Sequence, residues 1–161
     1  MKKIINLVFL LTLVISINQC SGYKPIFVSS SINFEISNYL IEGNKILGNK
    51  IYAKLLKLSK NKKEAINIDI TINTSKSKNA TSKDSAGKIL GYKITLNSQI
   101  IVKDFKNSNE LVNHTFVSTQ SYKIQDQYSD TLALENQSIE NLINKTYQEL
   151  LIKLSENIIL K

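Results

Sequence analysis

Residues 66–73 read Ile66-Asn67-Ile68-Asp69-Ile70-Thr71-Ile72-Asn73. Isoleucine alternates strictly with a polar residue, the period of a strand with one buried and one wet face. A helix would scatter these isoleucines over two sides of its cylinder, whereas β-branched side chains suit a pleated surface. Such a strand needs partner strands and a cover for its apolar face, and the flanking sequence offers both.

Upstream, Ile32, Phe34 and Ile36 alternate with Ser31, Asn33 and Glu35. They predict a first strand that continues through Tyr39 and Ile41 to the break at Glu42-Gly43-Asn44. Over 45–59 the period changes. Leu47, Ile51, Leu55 and Leu58 form a helical stripe, with Lys45, Lys50, Lys54 and Lys57 mainly off it. Asn44 is the expected N-cap.

Downstream, 74–87 holds no large apolar residue and reads as a long polar loop. A third strand follows, with Tyr92, Ile94, Leu96, Ile100 and Val102 on one face and Lys93, Thr95, Asn97, Gln99 and Lys103 largely opposite. Residues 104–109 are a turn. Residues 111–124 form a fourth strand, with Phe116, Tyr122 and Ile124 on one parity. The C-terminal segment predicts a long helix capped by Asp130. Its stripe is Leu132, Ile139, Leu142, Ile143, Leu150, Leu151, Leu154 and Ile158, and Glu149 with Lys153 forms an i,i+4 pair. The expected fold is α+β, in the order β-α-β-β-β-α. It is a two-layer sandwich, a four-stranded mostly antiparallel sheet with two helices on one face.

The N-terminus carries an address. Met1-Lys2-Lys3 precedes an apolar run from Ile4 to Ile17, the pattern of a secretory signal. The run is shorter than the ~20 apolar residues that span a bilayer. It ends at Ile17-Asn18-Gln19-Cys20, where a lipobox places its cysteine, and Cys20 is the only cysteine in the chain. The expected division is a lipoprotein signal peptide over 1–19, a lipidated tether over 20–30 and a single α+β domain over 31–161. Pro25 discourages helix in the tether. Gln19 departs from the small residue usual before the cysteine. The alternative is an ordinary signal or an uncleaved anchor with an incidental cysteine. Each buried CH₂ contributes roughly 0.8 kcal/mol, so two or three acyl (palmitate-like) chains would hold the protein at the membrane firmly. Ser21, rather than aspartate, after the cysteine favours the outer membrane.

The net charge of +8 falls to +6 when Lys2 and Lys3 are lost, and every one of the 21 basic residues is lysine. Absence of arginine argues against bidentate reading of bases or phosphates, so no nucleic-acid partner is expected. The abundance of isoleucine and asparagine fits AT-rich coding, which makes part of this basicity compositional.

Catalytic groups are scarce. His114 is the single histidine and Cys20 is committed to lipid, which leaves no Cys/His pair or metal cluster. His114, at the parity of Phe116, is expected to be a partly buried structural residue. The five glycines form no phosphate cradle. The pairs Glu35/Glu42 and Asp126/Asp130 read as solvated surface. The expectation is a binding or structural protein, with no catalytic residue, cofactor or metal. Two surfaces stand out. Lys76, Lys78, Lys83 and Lys88 are either a solvated connection or flexible cations for anionic head groups. Asn67, Asp69, Thr71, Thr95, Asn97 and Gln99 are a hydrated sheet face that would also suit a water-filled barrel lumen.

Cys20-Ser21-Gly22-Tyr23-Lys24-Pro25-Ile26-Phe27 resembles the mature start of the LPS-assembly lipoproteins, the LptE family. The element order, the basic segment between strands 2 and 3, the long last helix and the size resemble that family too. Gln19, and Ser21 between Cys20 and Gly22, depart from its pattern. The resemblance implies a non-enzymatic, lipid-anchored outer-membrane protein facing the periplasm or a barrel lumen. Its implied partners are lipopolysaccharide and an LptD-like β-barrel, which it would plug and help assemble during lipopolysaccharide transport. By the same analogy, Lys76, Lys78, Lys83, Lys88 and Lys93 would bind lipopolysaccharide. The runner-up is an auxiliary lipoprotein subunit of an envelope lipid-transport or secretion complex. An envelope hydrolase using His114 or an acid is a weaker third class.

Overall fold

The computed structural model describes residues 32–59 and 65–158. The expected signal peptide (1–19) and tether (20–30), with Gln19 and Cys20, lie outside the described residues. The order is β1 (Phe34–Gly43), α1 (Lys45–Leu58), β2 (Ile66–Lys83), β3 (Ile89–Asp104), β4 (Glu110–Lys123) and α2 (Tyr128–Ile158). The strands lie in one four-stranded sheet in the order β1-β2-β3-β4. This is the α+β architecture that the hydrophobic periods predict.

The β1–β2 pair is parallel, while β2–β3 and β3–β4 are antiparallel. A helix between β1 and β2 returns the chain to its starting end, as parallel pairing requires. Asn44 caps α1, its side chain accepting from the Leu47 N–H at 3.2 Å. The turn into α1 is tight. Gly43 has φ +66°, and an added Cβ would sit 2.2 Å from the Thr74 carbonyl oxygen. The Asn44 N–H donates to that same oxygen at 2.7 Å.

Alternation in β2 and β3 buries Ile68, Ile70, Ile72, Ile94, Leu96, Ile100 and Val102 on one face. Leu47, Ile51 and Leu55 of α1, and Leu142, Ile143, Leu150 and Leu154 of α2, complete the same core. Asn67, Asp69, Thr71, Thr95 and Asn97 are half-buried and Gln99 exposed on the other face.

Four local expectations are corrected. The 74–87 loop is mostly strand: β2 runs to Lys83 and pairs with β3 from Ile68↔Asp104 to Lys83↔Ile89. Backbone pairing with β3, not apolar burial, holds this part, which contains no proline or glycine to interrupt the ladder. The actual turn is 84–87, where the Asp84 side chain accepts from the Ala86 and Lys88 N–H groups and Gly87 takes φ +84°. The last helix starts at Tyr128, so Asp130 lies in its first turn instead of capping it, where a carboxylate still suits the helix dipole. Glu149 pairs with Lys145, and Lys153 with Glu156, in place of the expected Glu149–Lys153 contact. His114 is exposed, its ring set edge-on to Phe116 at 4.8 Å between centroids; β4 is an edge strand, which leaves that side of the ring to solvent.

Candidate functional site

β1 stops pairing at Gly43↔Thr74. Beyond it, among the described residues, β2 continues beside β3 alone, and every residue from 75 to 83 is exposed. Lys76 and Lys78 keep the parity of Ile70 and Ile72, so their side chains rise on the face that carries the helices. They stand opposite Leu96 and Ile94 across β3, and Ala80 stands opposite Tyr92, itself opposite Tyr122.

Glu135 of α2 reaches down to this group. Its carboxylate lies 2.5 Å from Lys78 Nζ and 3.8 Å from Lys76 Nζ, and accepts from the Tyr122 hydroxyl at 2.8 Å. The Glu135 side chain is only 17% exposed, so a charge taken from water is matched by donors. Lys78 Nζ also sits 4.3 Å from the Tyr92 ring centroid and 5.7 Å from that of Tyr122, within cation–π range. Hydrogen bonding from Lys78 holds the Glu135 carboxyl below its ordinary range. The hydrogen bond to Glu135 pushes the Lys78 ammonium up. Burial raises the Tyr122 phenol. Both Lys78 and Glu135 are therefore charged at neutral pH.

Beside this network opens a cleft of about 430 Å³, lined in part by Lys78, Lys88, Tyr92, Tyr128, Leu132 and Glu135. Its chemistry is amphipathic: aromatic and aliphatic side chains line it together with the ammonium groups of Lys78 and Lys88 and the carboxylates of Asp126 and Glu135. Tyr128 is 80% exposed, and Leu132, expected within the core stripe, is 44% exposed at the mouth. Two lysines share the Glu135 carboxylate, and the cleft lining adds one more charge of each sign, Lys88 and Asp126.

The five lysines are not one cluster. Lys78 and Lys88 line the cleft, and Lys76 joins through Glu135. Lys83 is exposed at the hairpin end. Lys93 stands in the row Asn79–Lys93–Ser121 on the opposite sheet face. Sequence reading missed Glu135, Tyr92 and Tyr122 as site residues. A signal for Glu135 existed, because it lies seven residues before Leu142 on the inward stripe of α2, and a carboxylate there needs a partner. Among the described residues, no group of three or more His, Cys, Asp and Glu side chains could hold a metal ion.

With this geometry in hand, the chain can be set beside known proteins. No protein-family model matches it, and no curated protein does. Solved structures do match. A candidate lipoprotein from Caulobacter crescentus is 16% identical, with a TM-score of 0.54 over 83% of this chain and 94% of that one. Lipoprotein B from Nitrosomonas europaea is 17% identical, with a TM-score of 0.55 over 81% and 88%. The fold is that of a group of bacterial lipoproteins. A minor lipoprotein from Acinetobacter baumannii extends the group, at 14% identity and a TM-score of 0.54 over 78% of this chain and 94% of that one. At such identities the likeness concerns the fold.

Proposed function

We propose that the protein is an outer-membrane lipoprotein, tethered through Cys20, that plugs and helps assemble an LptD-like β-barrel. In this reading it binds lipopolysaccharide during insertion into the outer leaflet and performs no catalysis. The observation that carries the binding role is the amphipathic end of the β2–β3 hairpin. Lys78 there sits over the Tyr92 and Tyr122 rings, with Lys76 sharing its carboxylate and Lys88 lining the same open cleft, a combination suited to a phosphorylated amphiphile. The fold shared with bacterial lipoproteins and the Cys20-Ser21-Gly22-Tyr23 start support the tether.

The test uses the full chain expressed with its signal and purified in mild detergent. The reading expects a large β-barrel to copurify, acyl label to follow Cys20, and a Cys20→Ser variant to lose that label. Neutralising Lys76, Lys78 and Lys88 together to glutamine should weaken lipopolysaccharide binding about tenfold or more while the thermal transition stays cooperative. Unchanged binding sinks the assignment of this site. Copurification with inner-membrane components instead of a barrel would favour an auxiliary subunit of a lipid-transport complex.

A further inference from the structure

The proposed function does not use α1, whose exposed side combines apolar side chains with lysines. Leu47, Gly48, Ile51 and Leu55 are its buried face. On the far side Ile46, Asn49, Ala53 and Leu56 follow one another at three- and four-residue steps and are all exposed. Ile46 is 72% exposed and Leu56 48%. Lys45 and Lys57 flank this stripe and Lys54 stands beyond it. The helix contains four lysines and no acidic residue. Lys50 is neutralised by Glu140 of α2; Lys45, Lys54 and Lys57 have no ion pair among the described residues. One turn before Leu56, Tyr52 stacks on Tyr39 of β1 with ring centroids 4.3 Å apart, and Tyr39 is 57% exposed. The acids of β1, Glu35 and Glu42, stand in register with Asn67 and Asn73 on the opposite sheet face. α2 differs in kind: it carries five acids and two lysines.

We propose that the outward face of α1, with the Tyr39–Tyr52 edge of β1, is an in-plane contact for an anionic lipid bilayer. The charge argues for an anionic occupant. A shallow apolar and aromatic stripe with flanking lysines, rather than a pocket, argues for the headgroup boundary of a membrane. There aliphatic and tyrosine side chains enter while lysine stems extend to phosphates. At ~21 Å, the 14-residue helix is too short to cross the hydrocarbon layer and suits lying along it. Position agrees. The Ile36 N–H donates to Ser59 Oγ at 3.0 Å, which sets the C-terminal end of α1, with Lys54 and Lys57, beside the start of β1. The chain from residues 1–31 enters the domain at that point, so a tethered N-terminus and this face would meet the same membrane. The contact itself needs no lipid on Cys20.

The experiment takes the mature-length chain, residues 20–161 with Cys20→Ser, and measures cosedimentation with phosphatidylcholine vesicles, with and without phosphatidylglycerol. Binding is expected only to the phosphatidylglycerol vesicles, and should fall as salt rises. The triple variant Lys45→Gln, Lys54→Gln, Lys57→Gln should bind about a hundredfold more weakly. Ile46→Ser with Leu56→Ser should lose about tenfold, with circular dichroism unchanged for both variants. Neutralising Lys76, Lys78 and Lys88 should leave this binding intact while weakening lipopolysaccharide binding, which separates the two readings. Absence of binding to anionic vesicles overturns the proposal. So does undiminished binding by the α1 triple variant, or transfer of the loss to the hairpin variant.

Discussion

Glu135 joins the last helix to β2 through charge and to β4 through the Tyr122 hydroxyl. Replacing its carboxylate with an amide leaves Lys76 and Lys78 unmatched and weakens the bond to the Tyr122 hydroxyl. Glu135→Gln should cost about 1–2 kcal/mol, observed as a lower denaturation midpoint. The same variant should bind lipopolysaccharide more tightly, because the internal competitor for Lys78 is gone. The pH dependence has a definite sign. The Glu135 carboxyl sits below its ordinary value of 4.5 in the folded protein. Its contribution is therefore fully present above pH 4.5 and disappears as pH falls through the lower folded value. On acidification below pH 4.5 the wild type should lose thermal stability faster than Glu135→Gln, and parallel curves would contradict the pairing. A second residue-scale test lies in the core. The Thr146 hydroxyl is fully buried with no hydrogen-bond partner among the described residues. An unmatched buried hydroxyl costs free energy that a methyl does not. Thr146→Val should raise stability by about 1 kcal/mol in urea titration.

At the scale of elements, the β1–α1 turn is the least tolerant join. Both Gly43 and Gly87 have positive φ, but a Cβ on Gly43 would strike the Thr74 carbonyl whereas Gly87 has open space. Gly87→Ala should cost about 1 kcal/mol of backbone strain. Gly43→Ala should cost more than about 2 kcal/mol, because the clash also displaces the oxygen that accepts from Asn44. Equal losses would refute this account of the turn. Elements were legible in the sequence where apolar residues carried a period. Ile66 to Ile72 revealed β2, the Leu47–Leu58 stripe revealed α1, and the alternations of β3 and β4 placed the sheet. The distal part of β2 was not legible, because residues 75–83 are held by backbone pairing and bear no buried apolar side chain. The site suffered for the same reason. Lys76 and Lys78 could be picked out as cations, but only the strand parity, hidden inside a presumed loop, directs them to Glu135. Lys93 could not be separated from the others without knowing that its parity sends it to the far face.

Across the whole molecule, these features divide the sheet into a packed half and a more polar half. The packed half holds β1, α1 and the fully buried Ile68, Ile70, Ile72, Ile100 and Val102. The more polar half is the far end of the β2–β3–β4 ribbon, where, among the described residues, β2 has a free edge, Glu135 ties α2 to Lys78 and Tyr122, and Ile94, Leu96 and Tyr122 stay buried. Free edges invite pairing with other chains, and inward-pointing lysines oppose it; Lys76 and Lys78 are placed for this. Stability should follow the same division, because local opening is governed by the apolar contacts an opening must break. Opening residues 75–83 breaks a ladder on one side and one ion-pair network, while opening residues 68–72 breaks two ladders and the central core. In native-state hydrogen exchange, amides of 77–83 that are bonded to β3 should therefore exchange at least about tenfold faster than those of 68–72. Glu135→Gln should accelerate the distal set, and the proximal set by no more than its loss of global stability. If both sets exchanged at the same rate in the wild type, the ribbon and the core would be one cooperative unit. An anionic amphiphile bound in the cleft should do the reverse of Glu135→Gln. By supplying a new partner for Lys78 and Lys88, it would protect residues 77–83 selectively, and this readout locates the ligand without assuming which lipid it is.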